Sequence, residues 1–421
     1  MLPVTRRQFC QVSSLSSVAW MAANYFGLAD ELNAATKIPR AQALIMLWLG
    51  GGPSQLETFD PKPNAPGEIR GETKAIASAV RGIQLAQGLP HVAEQMQDIA
   101  LVRSMVSKEG DHERGTYLMK TGYRPDPTVI HPALGAICAA ELPEDKAEIP
   151  RFISILTADR VTRGGYLGEQ FDAFRTFDPR DPLTDLTSPV SEDRRKSRIG
   201  DLDVVEKAFG RRFPAQSRRT MHRETIDRAL KMMSSEQLKA FRVEDEPESV
   251  RKAYGDTPFG RGCLAARRLI EVGVRCVEVS LNGWDTHVNN FNGHVEQNKI
   301  LDPAFAMLIR DLRQRKLLDS TLVLCTGEFG RTPKINPAAG RDHWPSGFSL
   351  ALAGGGIRGG QAIGETDPAG SPKPKDPVSV DDLYATVLTA IGIDPGKTVI
   401  TPITRPLKLS PGTPIGQLFA S

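Results

Sequence analysis

Four apolar runs in this chain each stop at or just before a glycine. They are residues 43–49 (ALIMLWL), ahead of Gly50; 274–281 (VRCVEVSL), ahead of Gly283; 321–325 (TLVLC), ahead of Gly327; and 348–353 (FSLALA), ahead of Gly354. Short leucine- and valine-rich runs with little polar alternation suit strands covered on both faces, which is the situation of central strands in a parallel sheet. Residues 99–105 and 152–156 read as further strands, the latter ending near Asp159. Helical periodicity fills the intervals. Residues 259–271 form a helix stopped by Gly273, 294–316 form one interrupted near Pro303, and 380–391 form a last amphipathic helix with Asp381 or Asp382 near its start. Such alternation predicts an α/β fold: a three-layer α/β/α sandwich around a mostly parallel, doubly wound sheet.

A length of 421 residues allows two or three domains at roughly 150 residues each, or one large α/β domain carrying insertions. Residues 185–256 are rich in Arg, Glu and Gln and read as a helical insertion over the sheet, with a helix over 217–241 and a solvated charged face. Residues 369–377 (AGSPKPKDP) read as a turn-rich loop. The net charge of +3 gives no support for a nucleic-acid partner. At the N-terminus, Thr5-Arg6-Arg7-Gln8-Phe9 precedes a moderately apolar stretch, 12–28, that is too short and serine-rich for a stable membrane span. With small residues at Asn33-Ala34-Ala35, residues 1–35 read as a twin-arginine export signal, so the translocation machinery is an expected partner and the mature chain of 36–421 an exported, periplasmic protein. Cys138, Cys263, Cys276 and Cys325 include no CxxC pair, which excludes a cysteine zinc cluster and leaves room for one disulfide.

The chemistry gathers where the apolar runs end. GWDTH supplies Asp285 and His287, GEFGRTP supplies Glu328 and Arg331, and GRDHWP supplies Asp342 and His343. Open α/β sheets build their sites at strand ends, and a carboxylate–imidazole mixture is what a divalent metal takes. Asp285 and His287, two apart, share a side of any extended segment, and Arg331 suits bidentate contact with an anionic oxygen. Two upstream segments are further candidates. Gly50-Gly51-Gly52 leads into Ser54, Glu57 and Asp60, where glycines let backbone N–H groups approach an anion. Gly110-Asp111-His112-Glu113-Arg114-Gly115 precedes a helix N-terminus, which suits an anion or metal. His131 and His222 read as structural or exposed, and His91 and His294 as helix-start residues.

Taken together, the twin-arginine start, GGPSQLETFDPKP, DHERGTYLMKTGYRP, GWDTH, GEFGRTP and GRDHWP resemble a large, mostly uncharacterised bacterial family of exported, sulfatase-like proteins. That family looks like a branch of the alkaline phosphatase and sulfatase superfamily, and the resemblance spans nearly the whole mature chain. It implies an alkaline phosphatase-like fold. TLVLCTGEFG is similar to the sulfatase strand that ends in a metal-binding acid, which puts Glu328 in that role. GRDHWP places His343 like a late metal-binding histidine, and VSVDDLYATVLTAIGID resembles a late helix packed under the site. Two departures stand out. Superfamily hydrolases carry aspartates directly after the first strand, where this chain has Gly50, Gly51 and Gly52; the nucleophile position falls on His112 rather than on Ser, Thr or Cys.

The resulting expectation is a metal-dependent hydrolase of phosphate or sulfate esters, acting on a small molecule or polysaccharide. Asp285, His287, Glu328, Asp342 and His343 would hold divalent Zn, Ca or Mn. His112 would serve as nucleophile or acid/base, and Arg114 or Arg331 would stabilise the anionic transition state. Asp111 is a further candidate beside Ser54, Glu57 and Asp60. The rival expectation is a non-catalytic exported binding or scaffold protein that keeps the fold.

Overall fold

Strand β1, Ala43–Gly50, is buried along its length and lies at the middle of the main sheet. The computed structural model describes residues 41–419 except 144–146, 160, 185, 187 and 215–221, so the stretch read as an export signal lies outside the described residues. The other main-sheet strands are β2 (Ile99–Val106), β3 (Phe152–Ile155), β4 (Phe174–Thr176), β5 (Cys276–Asn282), β6 (Thr321–Thr326), β7 (Phe348–Ala353), β8 (Gln361–Ile363) and β9 (Val378–Ser379). Their order is β8-β2-β7-β6-β1-β5-β3-β4, with β9 also paired to β2. β1 runs parallel to both β5 and β6, with Leu47 opposite Val279 on one side and Cys325 on the other.

β7 is the exception to the parallel expectation. It pairs antiparallel with both β2 and β6. An uninterrupted apolar run fits a doubly covered strand in either direction, so its composition carried no orientation. The sheet is therefore mostly parallel, as expected, with one reversed strand inside it.

Alternate β1 side chains define the layers. Ile45, Leu47 and Leu49 pack with α5 (Pro258–Glu271) and α6 (Asn290–Gln314) on one face. Leu44, Met46 and Trp48 pack with α1 (His112–Thr121), α2 (Leu134–Glu141) and α7 (Val380–Ala390) on the other. That is the three-layer α/β/α sandwich. Helix α7 begins with a capping box in which Ser379 and Asp382 bond each other's backbone N–H. Helix α6 runs unbroken through Pro303, where the sequence suggested an interruption. In the expected insertion lie α3 (Glu192–Arg212) and α4 (His222–Met233), followed by short turns and a helix at Glu248–Tyr254. Helix α3 buries none of its residues, consistent with a solvated charged face. Cys138, Cys263, Cys276 and Cys325 are buried and unbonded.

One buried ionic cluster ties α1 to the sheet. The Lys120 ammonium is fully buried, 2.8 Å from Glu278 of β5, 2.7 Å from Asp159 and 4.6 Å from the centre of the Trp48 ring. Ser154 Oγ of β3 also donates to Glu278 (3.1 Å). Removing one member leaves the other charge stranded in an apolar layer. We therefore expect Lys120→Met to cost about 3–5 kcal/mol in urea unfolding, with Lys120→Met/Glu278→Leu recovering most of that loss. A single variant within about 0.5 kcal/mol of the wild type would show that the cluster is not anchoring the helix.

Candidate metal centre

The turn after β1 brings backbone, rather than side chains, into the site. Gly51 and Gly52 have φ of 114° and 74°, and a Cβ on Gly51 would lie 2.5 Å from the Asp285 nitrogen. One on Gly52 would lie 2.6 Å from a ring carbon of Phe329. Only glycine tolerates both the dihedrals and the approach. The Gly51 N–H donates to Glu328 Oε1 (3.0 Å), so the anion that this glycine turn meets is one of the protein's own carboxylates.

Asp285 and His287 follow β5, Glu328 and Arg331 follow β6, and His112 opens α1 after β2. These strands are mutually parallel, so all five residues emerge at one end of the sheet. A two-stranded ribbon, Gly330–Arg331 against His343–Trp344, folds Asp342 and His343 over the same end, with His343 opposite Arg331. The GRDHWP segment thus reaches the site through this ribbon and not from a strand end of the main sheet.

Three imidazoles point their Nε2 atoms at the Asp285 carboxylate. His112 Nε2 is 3.3 Å from Oδ2, while His287 Nε2 and His343 Nε2 are 3.1 Å and 3.4 Å from Oδ1. The Nδ1 atom of each ring is committed elsewhere. His343 Nδ1 donates to the Gly110 carbonyl (2.8 Å), His112 Nδ1 pairs with Glu328 Oε1 (2.7 Å), and His287 Nδ1 pairs with Asp342 Oδ1 (2.7 Å). A carbonyl or carboxylate behind Nδ1 fixes the proton there and leaves Nε2 as a lone pair, as in imidazoles that ligate metals.

The lone pairs of His287 and His343 then face each other at 3.0 Å, next to a carboxylate. Two bare lone pairs at that distance repel, so the arrangement calls for a proton or a metal ion between them. His112, Asp285 and His343 each offer one donor atom, all within 4.8 Å of one another. His112 Nε2 is moreover buried with no hydrogen-bond partner, as is Glu328 Oε2. The residues present therefore fit a divalent ion with nitrogen and oxygen donors.

The local charges agree. The hydrogen bond to Glu328 raises the His112 pKa above 6.5 against the opposing effect of burial. Burial holds His343 below that value and so keeps it neutral. Burial pushes Asp285 upward, but the hydrogen bond and charge of Arg331 outweigh it and bring the carboxyl below its ordinary range.

Other candidates stand elsewhere. Arg331 is fully buried; it donates to Gly52 O (2.8 Å), Arg341 O (3.1 Å), Asp285 Oδ1 (2.6 Å) and Gly51 O. That commitment takes it away from an ester oxygen, the role the sequence suggested. Arg114 is exposed and pairs with buried Glu109 (3.2 Å). Asp111 caps α1 by accepting from the Arg114 N–H (3.1 Å). Glu57 is buried against Arg341 (2.9 Å) and Thr73 (2.8 Å), and Asp60 against Thr366 and Lys62. Ser54 is buried and its N–H donates to His294 Nε2 (2.9 Å). Ser54, Glu57 and Asp60 thus brace the loop after β1. Glu328 and Asp342 stand behind His112 and His287, orienting them.

Sequence reasoning missed Arg341 and His294. Arg341 lies inside GRDHWP but is fully buried against Glu57, 284 residues away, which no local pattern signals. His294 is fully enclosed in the second turn of α6 and its Nδ1 donates to Asn290 O (2.9 Å), rather than starting the helix.

Residues 41–419 match a family model described as "Protein of unknown function (DUF1501)". The chain belongs to that family. No curated protein matches it. Among solved structures, this family member is similar to the PsFucS1 sulfatase from Pseudoalteromonas sp., with 11% identity and a TM-score of 0.40 over 88% of this chain and 72% of that one. It is also similar to alkaline phosphatase from the Antarctic bacterium TAB5, with 12% identity and a TM-score of 0.37 over 84% and 99% of the two chains. The C-terminal periplasmic domain of EcEptC from Escherichia coli, in complex with Zn, gives 10% identity and a TM-score of 0.37 over 90% and 92%. Among the described residues of this DUF1501 protein, no helix is long and apolar enough to cross a membrane.

In metal-free protein, NMR titration should place the His112 pKa above 6.5, and Glu328→Gln should lower it. Because the folded value is raised, the pairing stabilises the fold fully below pH 6.5 and the benefit is lost as pH climbs through the folded pKa. An unchanged His112 titration in the variant would remove Glu328 as its partner.

Proposed function

We propose that this protein is an exported, metal-dependent hydrolase of phosphate or sulfate esters. The observation that carries the reading is the convergence of three Nε2 lone pairs on Asp285, each ring oriented through its Nδ1. His112, Asp285 and His343 would hold the ion, which when bound supplies a Lewis acid and acidifies a bound water. The His287 ring is 43% exposed and held by Asp342, so it is placed to take a proton at Nε2 from an incoming water. Its contacts with Asp285 and His343 direct that nitrogen into the cluster.

The ester class rests on the resemblance of the sequence motifs, and the charges beside the site support an anionic substrate. Arg114 and Arg124 are both exposed and both anchored on Glu109 (3.2 and 2.5 Å), next to the Gly110 carbonyl that orients His343. Guanidinium pairs held in this way attract anions. Export is supported by Arg6-Arg7 and the stretch that follows them.

Among the described residues, the side chains paired with Asp285 are three imidazoles and a guanidinium, none of them a hydroxyl or thiol. With His112 engaged as a ligand, that favours attack by water over a covalent intermediate. The same observation leaves a binding protein without turnover as the second reading.

Elemental analysis and a screen of phosphomonoesters, phosphodiesters and sulfated sugars separate the two. We expect bound metal in the wild type, its loss in Asp285→Ala/His343→Ala, and turnover of at least one ester class. Asp342→Asn should keep its metal while kcat falls about 10²–10⁴-fold. A fully loaded double mutant would overturn the ligand assignment, and metal without turnover would favour the binding protein.

A further inference from the structure

The guanidinium of Arg331 occupies an unusual place. It is fully buried, and its surroundings are oxygens: the Gly51, Gly52 and Arg341 carbonyls and Asp285 Oδ1. The backbone on either side of its side chain is pinned as well, since Arg331 N–H donates to Gln55 Oε1 (3.0 Å) and Gln55 Nε2 donates to Arg331 O (2.8 Å). An oxygen shell of carbonyls and one carboxylate is the environment that a hard cation takes. Here a covalently attached cation fills it.

We infer that Arg331 is a permanent resident cation that limits this site to one metal ion. The inference rests on the metal reading above and adds its stoichiometry. Three features support it. Arg331 takes Asp285 Oδ1 at 2.6 Å, so this carboxylate is already shared with a cation before any metal arrives. The turn after β1 has no room for a further ligand, because a Cβ on Gly51 or Gly52 would collide with the Asp285 backbone or the Phe329 ring. The charge balance also closes at one ion. Asp285, Glu328 and Asp342 carry −3 against the +1 of Arg331, a net of −2 that one divalent cation neutralises. A guanidinium suits this post because it stays charged when buried, whereas an ammonium releases its proton readily in such surroundings.

The test uses the purified full-length protein with Mn²⁺ as the probe. Titration calorimetry and metal analysis should give one equivalent per chain, and the low-temperature EPR spectrum should be that of an isolated ion. Arg331→Ala, which empties the oxygen shell, should take up a second Mn²⁺ at millimolar concentration and show spin coupling between the two ions. Arg331→Lys, which keeps a cation there, should stay at one equivalent. Where Arg331→Ala fails to fold, the wild type and Arg331→Lys decide. Two coupled ions in the wild type would overturn the role of Arg331 while leaving a metal-dependent hydrolase intact. No bound Mn²⁺ at any concentration would overturn the metal reading itself and this inference with it. One ion without ester turnover would support the role of Arg331 and count only against hydrolysis.

Discussion

The pressing of the β1 turn against the loop after β5 sets the rest of the site. Gly51 and Gly52 lie so close to Asp285 and Phe329 that the chain there offers only N–H and C=O groups. The N–H goes to Glu328, and the two carbonyls go to Arg331. Glu328 is thereby aimed at His112, and Arg331 at Asp285. A side chain at either glycine would push the two strands' loops apart and dissolve both arrangements together. The glycine requirement is thus a requirement of the cluster and not of the turn alone.

Beyond that contact the site is built by committing one side of each group. An imidazole with an acceptor at Nδ1 has a defined lone pair at Nε2, and this is done three times with three different acceptors: a buried carboxylate, an exposed carboxylate and a loop carbonyl. The outer residues differ in burial, from enclosed Glu328 to exposed Asp342, and the consequences differ accordingly. His112 is tied to the interior, while His287 keeps solvent access with the same orientation. On the proposed reading, that difference gives the proton-handling role to His287 and the ligand role to His112.

Much of the architecture was legible because continuous apolar runs report double burial. The runs at 43–49, 99–105, 152–156, 321–325 and 348–353 are strands within a residue or so of their expected bounds, and 274–281 became Cys276–Asn282. What composition could not carry was direction, so β7 appeared parallel, and short half-exposed β4 left no trace. Within the site, the pairing of Asp285 with His287 was readable from strand-end placement, whereas GRDHWP arrives through a ribbon that no apolar run announces. Which atoms face the centre was not, because Glu328 and Asp342 have the composition of ligands and the position of orienting groups. Residues flagged near the first strand, Glu57 and Asp60, look the same in sequence as ligands do. Their burial against Arg341 and Thr366 comes from contacts some 280 and 306 residues away, which no local pattern encodes.

The two buried arginines show how the chain manages charge without water. Arg341 is paired with Glu57 and with carbonyls of residues 69 and 332, so its environment is neutral and its function mechanical: it locks the GRDHWP ribbon to the first loop. Arg331 has the same burial but shares its one carboxylate, Asp285, with three imidazole nitrogens. A carboxylate under that many donors is over-subscribed as an ion-pair partner and well supplied as a metal ligand. Burial alone does not set this balance: the Asp285 and Asp342 side chains are 46% and 56% exposed, so water shares with Arg331 in screening them, and Glu328 alone of the three carboxylates is enclosed.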